Sequence, residues 1–183
     1  ASVVISEFRT RGTHGEEDEI IELFNPTSGS VLIGGWQAWR SSGCGVVASP
    51  LFTIPANTWL PPGHHFLAAS ADASLTITPD LVYTGQLYDN GGLALLDAFD
   101  QVVDQVGMCS STLYHEGSSL PPLSADLNQG YERKPGGSGG SCLDTDDNLA
   151  DFSFITANLR QNLDGPAVWG RGVSRARPSL APR

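Results

Sequence analysis

From Val3 to Val106 the chain is a succession of short apolar runs separated by turn residues. Val3-Val4-Ile5-Ser6-Glu7-Phe8 gives way to Arg9-Thr10-Arg11-Gly12 and an acidic loop, Glu16-Glu17-Asp18-Glu19. Ile20-Ile21-Glu22-Leu23-Phe24 stops at Asn25-Pro26, where proline removes a ladder donor. Val31-Leu32-Ile33 runs through Gly34-Gly35 into Trp36-Gln37-Ala38-Trp39-Arg40. On a strand, Trp36, Ala38 and Arg40 share one face, and Gln37 and Trp39 the other. Further runs follow at 51–54, 66–69, 81–83, 93–96 and 102–106, divided by Pro55, Pro61-Pro62-Gly63 and Asn90-Gly91-Gly92. This spacing predicts an all-β sandwich or barrel. No segment keeps apolar residues at helical spacing, and one short helix near 147–152 is the only helix expected.

After residue 107 the texture changes. Residues 110–128 are rich in Ser, Pro and Leu, and 136–141 is a Gly/Ser stretch. Two strands are expected there, Gly130-Tyr131-Glu132-Arg133 and Phe152-Ser153-Phe154-Ile155. A long loop-rich segment in a compact domain has two readings: it wraps a sheet edge against pairing, or it builds a site.

Composition agrees with β structure. The 183 residues include 21 Gly, 12 Pro, a single Met and a single Lys, a poor supply of helix formers. No apolar run approaches the roughly 18–20 residues of a membrane span. The start at Ala1 fits a processed or truncated beginning, and hence export. The net charge is −10, but residues 166–183 hold four arginines and no acid, so residues 1–165 carry −14. So acidic a body repels phosphate backbones, and no nucleic acid is expected as its partner. The domain is placed at 1–165, and the basic, Pro-containing 166–183 is read as a tail or linker.

Several of these segments, in order, resemble the lamin-tail domain family in its bacterial form. They are Val4–Phe8, Glu19–Pro26, Gly35-Trp36, Ile54–Gly63, Asn90–Asp97, Val103–Val106, Glu116-Gly117, Glu132-Arg133 and Asp144–Phe152. The likeness extends over roughly residues 3–162 on this reading. It implies an immunoglobulin-like β-sandwich, commonly exported and often joined to nucleases, phosphatases or surface anchors. The chain has no heptad rod and ends Ala181-Pro182-Arg183 without a prenylation box, so filament formation and a nuclear address are not expected of it.

The acidic run offers the best candidate chemistry. Asp144, Asp146, Asn148 and Asp151 present oxygen ligands at positions 1, 3, 5 and 8, which makes calcium the candidate cofactor. The sixth position is Leu149 rather than Gly and the twelfth Ile155 rather than Glu, both departures from an EF-hand loop. The competing reading is a turn in which these side chains cap backbone donors. Cys44, Cys109 and Cys142 lack any C-x-x-C spacing, so zinc is not expected. Pairing Cys109 with Cys142 would close a loop of about 30 residues and is the disulfide expected here, with either partner of Cys44 left open. Of the tryptophans, Trp36 and Trp59 are expected in the core and Trp39 exposed for binding. His64-His65 enters a strand, one ring inward and one outward. No H-E-x-x-H motif appears, and the Ser, His and Asp present have no recognisable triad spacing, so the sequence gives no hold for a hydrolase. The function expected is therefore a non-catalytic, extracellular structural or adhesive module, secreted or at the cell surface, that positions a partner domain or anchors to a protein or surface. The alternative is a metal-assisted hydrolase or ligand-binding domain with its site around Asp144–Asp151.

Overall fold

The computed structural model describes residues 2–156 and 161–168. Among these residues the strands are β1 Val4–Arg9, β2 Ile20–Phe24, β3 Val31–Leu32, β4 Gln37–Ser41, β5 Ala48–Thr53 and β6 Trp59–Leu60. They continue with β7 His65–Ser70, β8 Leu81–Tyr83, β9 Gly92–Leu96, β10 Val102–Gly107, β11 Gly130–Arg133 and β12 Phe152–Ile155. One helical turn, α1 Asn148–Asp151, precedes β12, where the short helix was expected. A six-stranded sheet in the order β12-β11-β1-β2-β7-β8 faces a four-stranded sheet in the order β10-β9-β4-β5, and β3 and β6 form a separate ribbon. The fold is an immunoglobulin-like β-sandwich, nearly all β, as expected.

The core lies between the sheets. Ile5, Phe8, Ile21, Leu23, Phe66 and Tyr131 from the large sheet meet Ala38, Phe52, Leu93, Leu95 and Val106 from the small one. Ile5 and Phe8 are three residues apart, so simple alternation would send them to opposite faces. A bulge between Ile5 and Glu7 inserts the extra residue, and Ile5 and Phe8 then sit opposite Leu23 and Ile21 on the inner face. Gly35 takes φ 87°, the left-handed turn that sets Trp36 against the core. Asn25 closes β2: its amide donates to Leu60 O at 2.8 Å and its oxygen accepts from Thr27 N at 2.9 Å.

The outer face of the large sheet is also covered, which is why β2 and β7 are buried at every position. Ile20, Leu67 and Ala69 pack under Ala73, Leu75 and Ile77 of the crossover into β8, which runs parallel to β7. Residues 161–168 return to the same sheet. Gln161 N reaches the Glu22 carboxylate at 2.6 Å, Leu163 N reaches Asp80, and Val168 N reaches Gly63 O. Trp169 and nearly all of the 166–183 tail lie outside the described residues.

Candidate functional site

The Asp144–Asp151 segment is a capped turn, built by its own side chains. Asp147 is the N-cap of α1: it accepts from Ala150 N at 3.1 Å and from the Ser118 hydroxyl at 3.1 Å. Asp151 accepts from the Thr145 amide at 2.8 Å and from its hydroxyl at 2.7 Å. Asn148 is fully buried and its carboxamide is saturated. The oxygen accepts from Gly107 N and Glu116 N at 3.0 and 2.9 Å, and the nitrogen donates to Gln105 O and Glu116 Oε2 at 3.0 and 3.3 Å. Asp146 is exposed at φ 56°. The four expected calcium ligands are thus not brought to one point.

What the fold does assemble is a cluster around Arg133. This guanidinium, with no exposed surface, pairs with Asp104, its Nη2 donating to both carboxylate oxygens at 2.8 Å. Its Nε donates to Ile5 O at 2.9 Å, and its Nη1 donates to Leu143 O at 3.0 Å and Asp144 Oδ1 at 3.3 Å. Asp151 lies 3.6 Å away, and the group sits 4.6 Å over the Phe152 ring. Asp104 in turn accepts from Ile5 N and Gln105 N. One buried pair therefore links β10 of the small sheet to β11 and β1 of the large one, and fastens the loop before α1 to both.

Asp104, Glu116 and Asp144 are the one acidic group among the described residues with oxygens close enough to share a cation, all within 4.8 Å of one another. Of the expected ligands only Asp144 belongs to it. Burial pushes the Asp104 carboxyl up to about 6 despite the pull of Arg133. Burial, with the charges of Asp104 and Asp144, pushes Glu116 up to about 8. The residues fit a divalent ion poorly. Arg133 already holds the cationic position at the centre, and a second cation would meet its charge at close range in a desolvated place. Arg133 and Asp104 were not recognised as site residues in the sequence, although the Glu132-Arg133 and Val103-Asp104 motifs carried them. Their convergence depends on the pairing of two sheets, which no local pattern reveals.

Other expectations fall out differently. The disulfide joins Cys44 to Cys109, not Cys109 to Cys142, and Cys142 is an exposed free thiol. The reason is topological. The β4–β5 turn carrying Cys44 is stitched to the loop after β10, with Ser111 Oγ on Cys44 O at 3.1 Å and Leu113 N on Gly45 O at 3.2 Å. The two Cα atoms stand 5.4 Å apart, the ordinary bridging distance. Trp39 is half-buried rather than open, packed against Ala94, Leu96 and Tyr114 on the outer face of the small sheet, its indole N–H given to Gln37 at 3.1 Å. Trp59, expected in the core, is 55% exposed beside Leu32, because strand alternation puts both on the outward face of the β3–β6 ribbon while Leu60 and Val31 take the face against the core. His65 is buried against the Phe24 ring and Glu22, and burial pushes it down to about 4, whereas His64 is half-buried facing Leu163 O.

The fold and the ordered motifs define a class, the immunoglobulin-like domains of the lamin-tail kind. The family model of the lamin tail domain matches residues 1–110, and the chain belongs to that family. The match ends after β10, short of the 3–162 span expected from the motifs, so Asp104 lies inside it while Glu116, Arg133 and Asp144 lie beyond. No curated protein matches the chain.

Proposed function

We propose that this chain is a non-catalytic module, exported to the cell surface or beyond, that positions an attached domain or anchors it to a surface partner. The observation that carries this is the use made of the acidic motifs: Asp104, Asp144 and Asp151 surround one buried guanidinium, and Asn148 is saturated by three backbone groups and Glu116. Carboxylates committed to holding two sheets together are poor bases, nucleophiles or metal ligands. The family is an immunoglobulin-like one not known for enzymes. The Cys44–Cys109 bridge supports an oxidising compartment, and among the described residues no helix is long and apolar enough to cross a membrane.

The test has two arms. The purified chain is pelleted with washed bacterial envelopes, with and without chelator, and retention indifferent to chelator is expected. Chromogenic phosphomonoester and phosphodiester substrates are offered with calcium, magnesium or manganese, and no turnover is expected. Recovery of the chain wholly in the supernatant would overturn the anchoring role, and metal-dependent hydrolysis that Glu116→Gln abolishes would overturn the proposal in favour of a metal-assisted hydrolase.

A further inference from the structure

On the β8 side of the sandwich, four strands across the large sheet from β11, lies a groove of about 370 Å³ between the end of β7 and the 83–88 turn. Its size falls within the roughly 300–1,000 Å³ range of small-molecule clefts. Arg40 reaches it from β4, on the core-facing side shared with Ala38. The guanidinium is poorly provided for. Nε donates to Ser49 Oγ at 3.3 Å, Cζ lies 5.4 Å over the Tyr88 ring, and the buried Nη1 has no hydrogen-bond partner among the described residues. The nearby Glu19 carboxylate does not serve it: its oxygens accept from Leu87 N at 2.6 Å and the Tyr83 hydroxyl at 3.1 Å. Burial pushes Glu19 up to about 8, so near neutral pH it supplies Arg40 with little countercharge. Gly85, at φ 130°, stands over the guanidinium, and a Cβ there would lie 3.7 Å from Nη1.

An arginine so short of acceptors calls for oxygen at the part of its guanidinium that lines the groove, since the sealed Nη1 itself admits no ligand. The rest of the lining limits which acceptor that is. Exposed Glu17 and Asp72 face the groove on a body of strong negative charge, which disfavours an anion, while Arg40 disfavours a cation. Hydroxyl groups suit both, since each can accept from Arg40 or Gln86 and donate to Glu17 or Asp72. The Tyr88 ring adds apolar surface of the kind that meets the C–H face of a sugar. We infer that this groove binds a neutral saccharide, with Arg40 and Gln86 as donors and Glu17 and Asp72 as acceptors. The inference goes beyond the anchoring role and does not depend on it, since a catalytic chain could carry the same groove.

The test is saturation-transfer NMR on the full chain with maltotriose, cellotriose and mannotriose, beside trigalacturonate and acetate. Transfer to at least one neutral sugar is expected. Loss of a hydrogen bond from a charged donor should weaken it about tenfold in Arg40→Met, and severalfold in Gln86→Ala. Gln86 lies half-buried in the loop after β8, outside every strand, so its variant stays informative if Arg40→Met fails to fold, and unfolding curves of both distinguish the cases. No transfer from any neutral sugar, binding unchanged in Gln86→Ala, or trigalacturonate or acetate bound more tightly than the neutral sugars would each overturn the inference. None of these outcomes bears on envelope retention or hydrolysis.

Discussion

At the scale of single residues the decisive group is Arg133. Its five donors face Ile5 O, Leu143 O, Asp104 and Asp144, so almost no part of the guanidinium is left to water. A buried pair of this kind gains little over a well-packed apolar core, but losing one member strands the other. Arg133→Met should therefore destabilise the chain by about 3–5 kcal/mol in urea unfolding, with the buried Asp104 carboxyl deprived of its counter-ion. Adding Asp104→Asn to that variant should recover part of the loss, because the stranded charge is gone. Equal stability of single and double variants would mean that the Asp104 charge is not what the arginine is there to hold. Asp146, by contrast, makes no bond to this guanidinium, and Asp146→Ala should lower the thermal midpoint only by the strain of alanine at φ 56°, about 1 kcal/mol, and equally with calcium, magnesium or chelator. A rise in the midpoint with calcium alone, lost in that variant, would restore the loop as a metal site.

At the scale of elements the segment after residue 107 protects an edge. β10 borders the small sheet, and an unpaired border strand invites another chain. Asn148 answers it like a neighbouring strand, taking the N–H of Gly107 and giving to the carbonyl of Gln105. Asn148→Ala should cost at least about 2 kcal/mol, since it leaves buried backbone groups unmet. Hydrogen exchange at Gly107 and Glu116 should become fast while β9 stays protected; continued protection at Gly107 would show that something else closes the edge. The disulfide acts on the neighbouring strands. Cys44 and Cys109 are 65 residues apart in sequence, and closing such a loop is worth up to about 4 kcal/mol by chain entropy. Non-reducing peptide mapping should return a Cys44–Cys109 crosslink, and Cys44→Ser should lower stability where Cys142→Ser does not. A Cys109–Cys142 crosslink would reverse that assignment. Strands and the single helical turn were legible in the sequence because periodicity, proline and glycine are local signals; β11, β12 and α1 fall where expected. The cysteine pairing was not, because it follows from two turns being brought side by side by strands far apart in the chain. The Asp loop was legible as an acidic motif and, in the competing reading, as a capped turn, but the reach of Asn148 was not, since its partners lie more than thirty residues away.

At the scale of the whole molecule, both faces of the large sheet are covered, and that buries ionisable groups which one-sided sheets leave in water. The sequence pointed to this only through the doubly apolar runs of β2 and β7; that Glu22 shares their burial depends on residues 161–168 folding back. Burial, reinforced by the charges of Glu7 and Glu132, pushes Glu22 up to about 8, and burial pushes Glu19 and Glu116 to about 8 as well. Each has a folded value above its unfolded one, so its contribution is complete below about pH 4.5 and declines as pH rises towards 8. His65, pushed down to about 4, acts the other way: its contribution is complete above about 6.5 and is lost as pH falls towards 4. Between 4 and 6.5 the two oppose each other. From 6.5 to 8 the histidine no longer titrates and only the carboxylates do, so the urea midpoint should fall across that interval and level off above it. The slope is at most about 1.4 kcal/mol per pH unit for each group, and half-buried Glu116 contributes less than Glu22. General repulsion in a chain of net charge −10 would also weaken it at high pH, but that effect is screened by salt, whereas desolvation of a buried carboxyl is not. In 0.5 M salt the fall should therefore persist in the wild type and become shallower in Glu22→Gln, which cannot ionise. A midpoint that stays level or rises between pH 6.5 and 8, or a slope the same in both proteins, would show that Glu22 is ionised in the folded chain and that its charge is met on the covered face of the sheet.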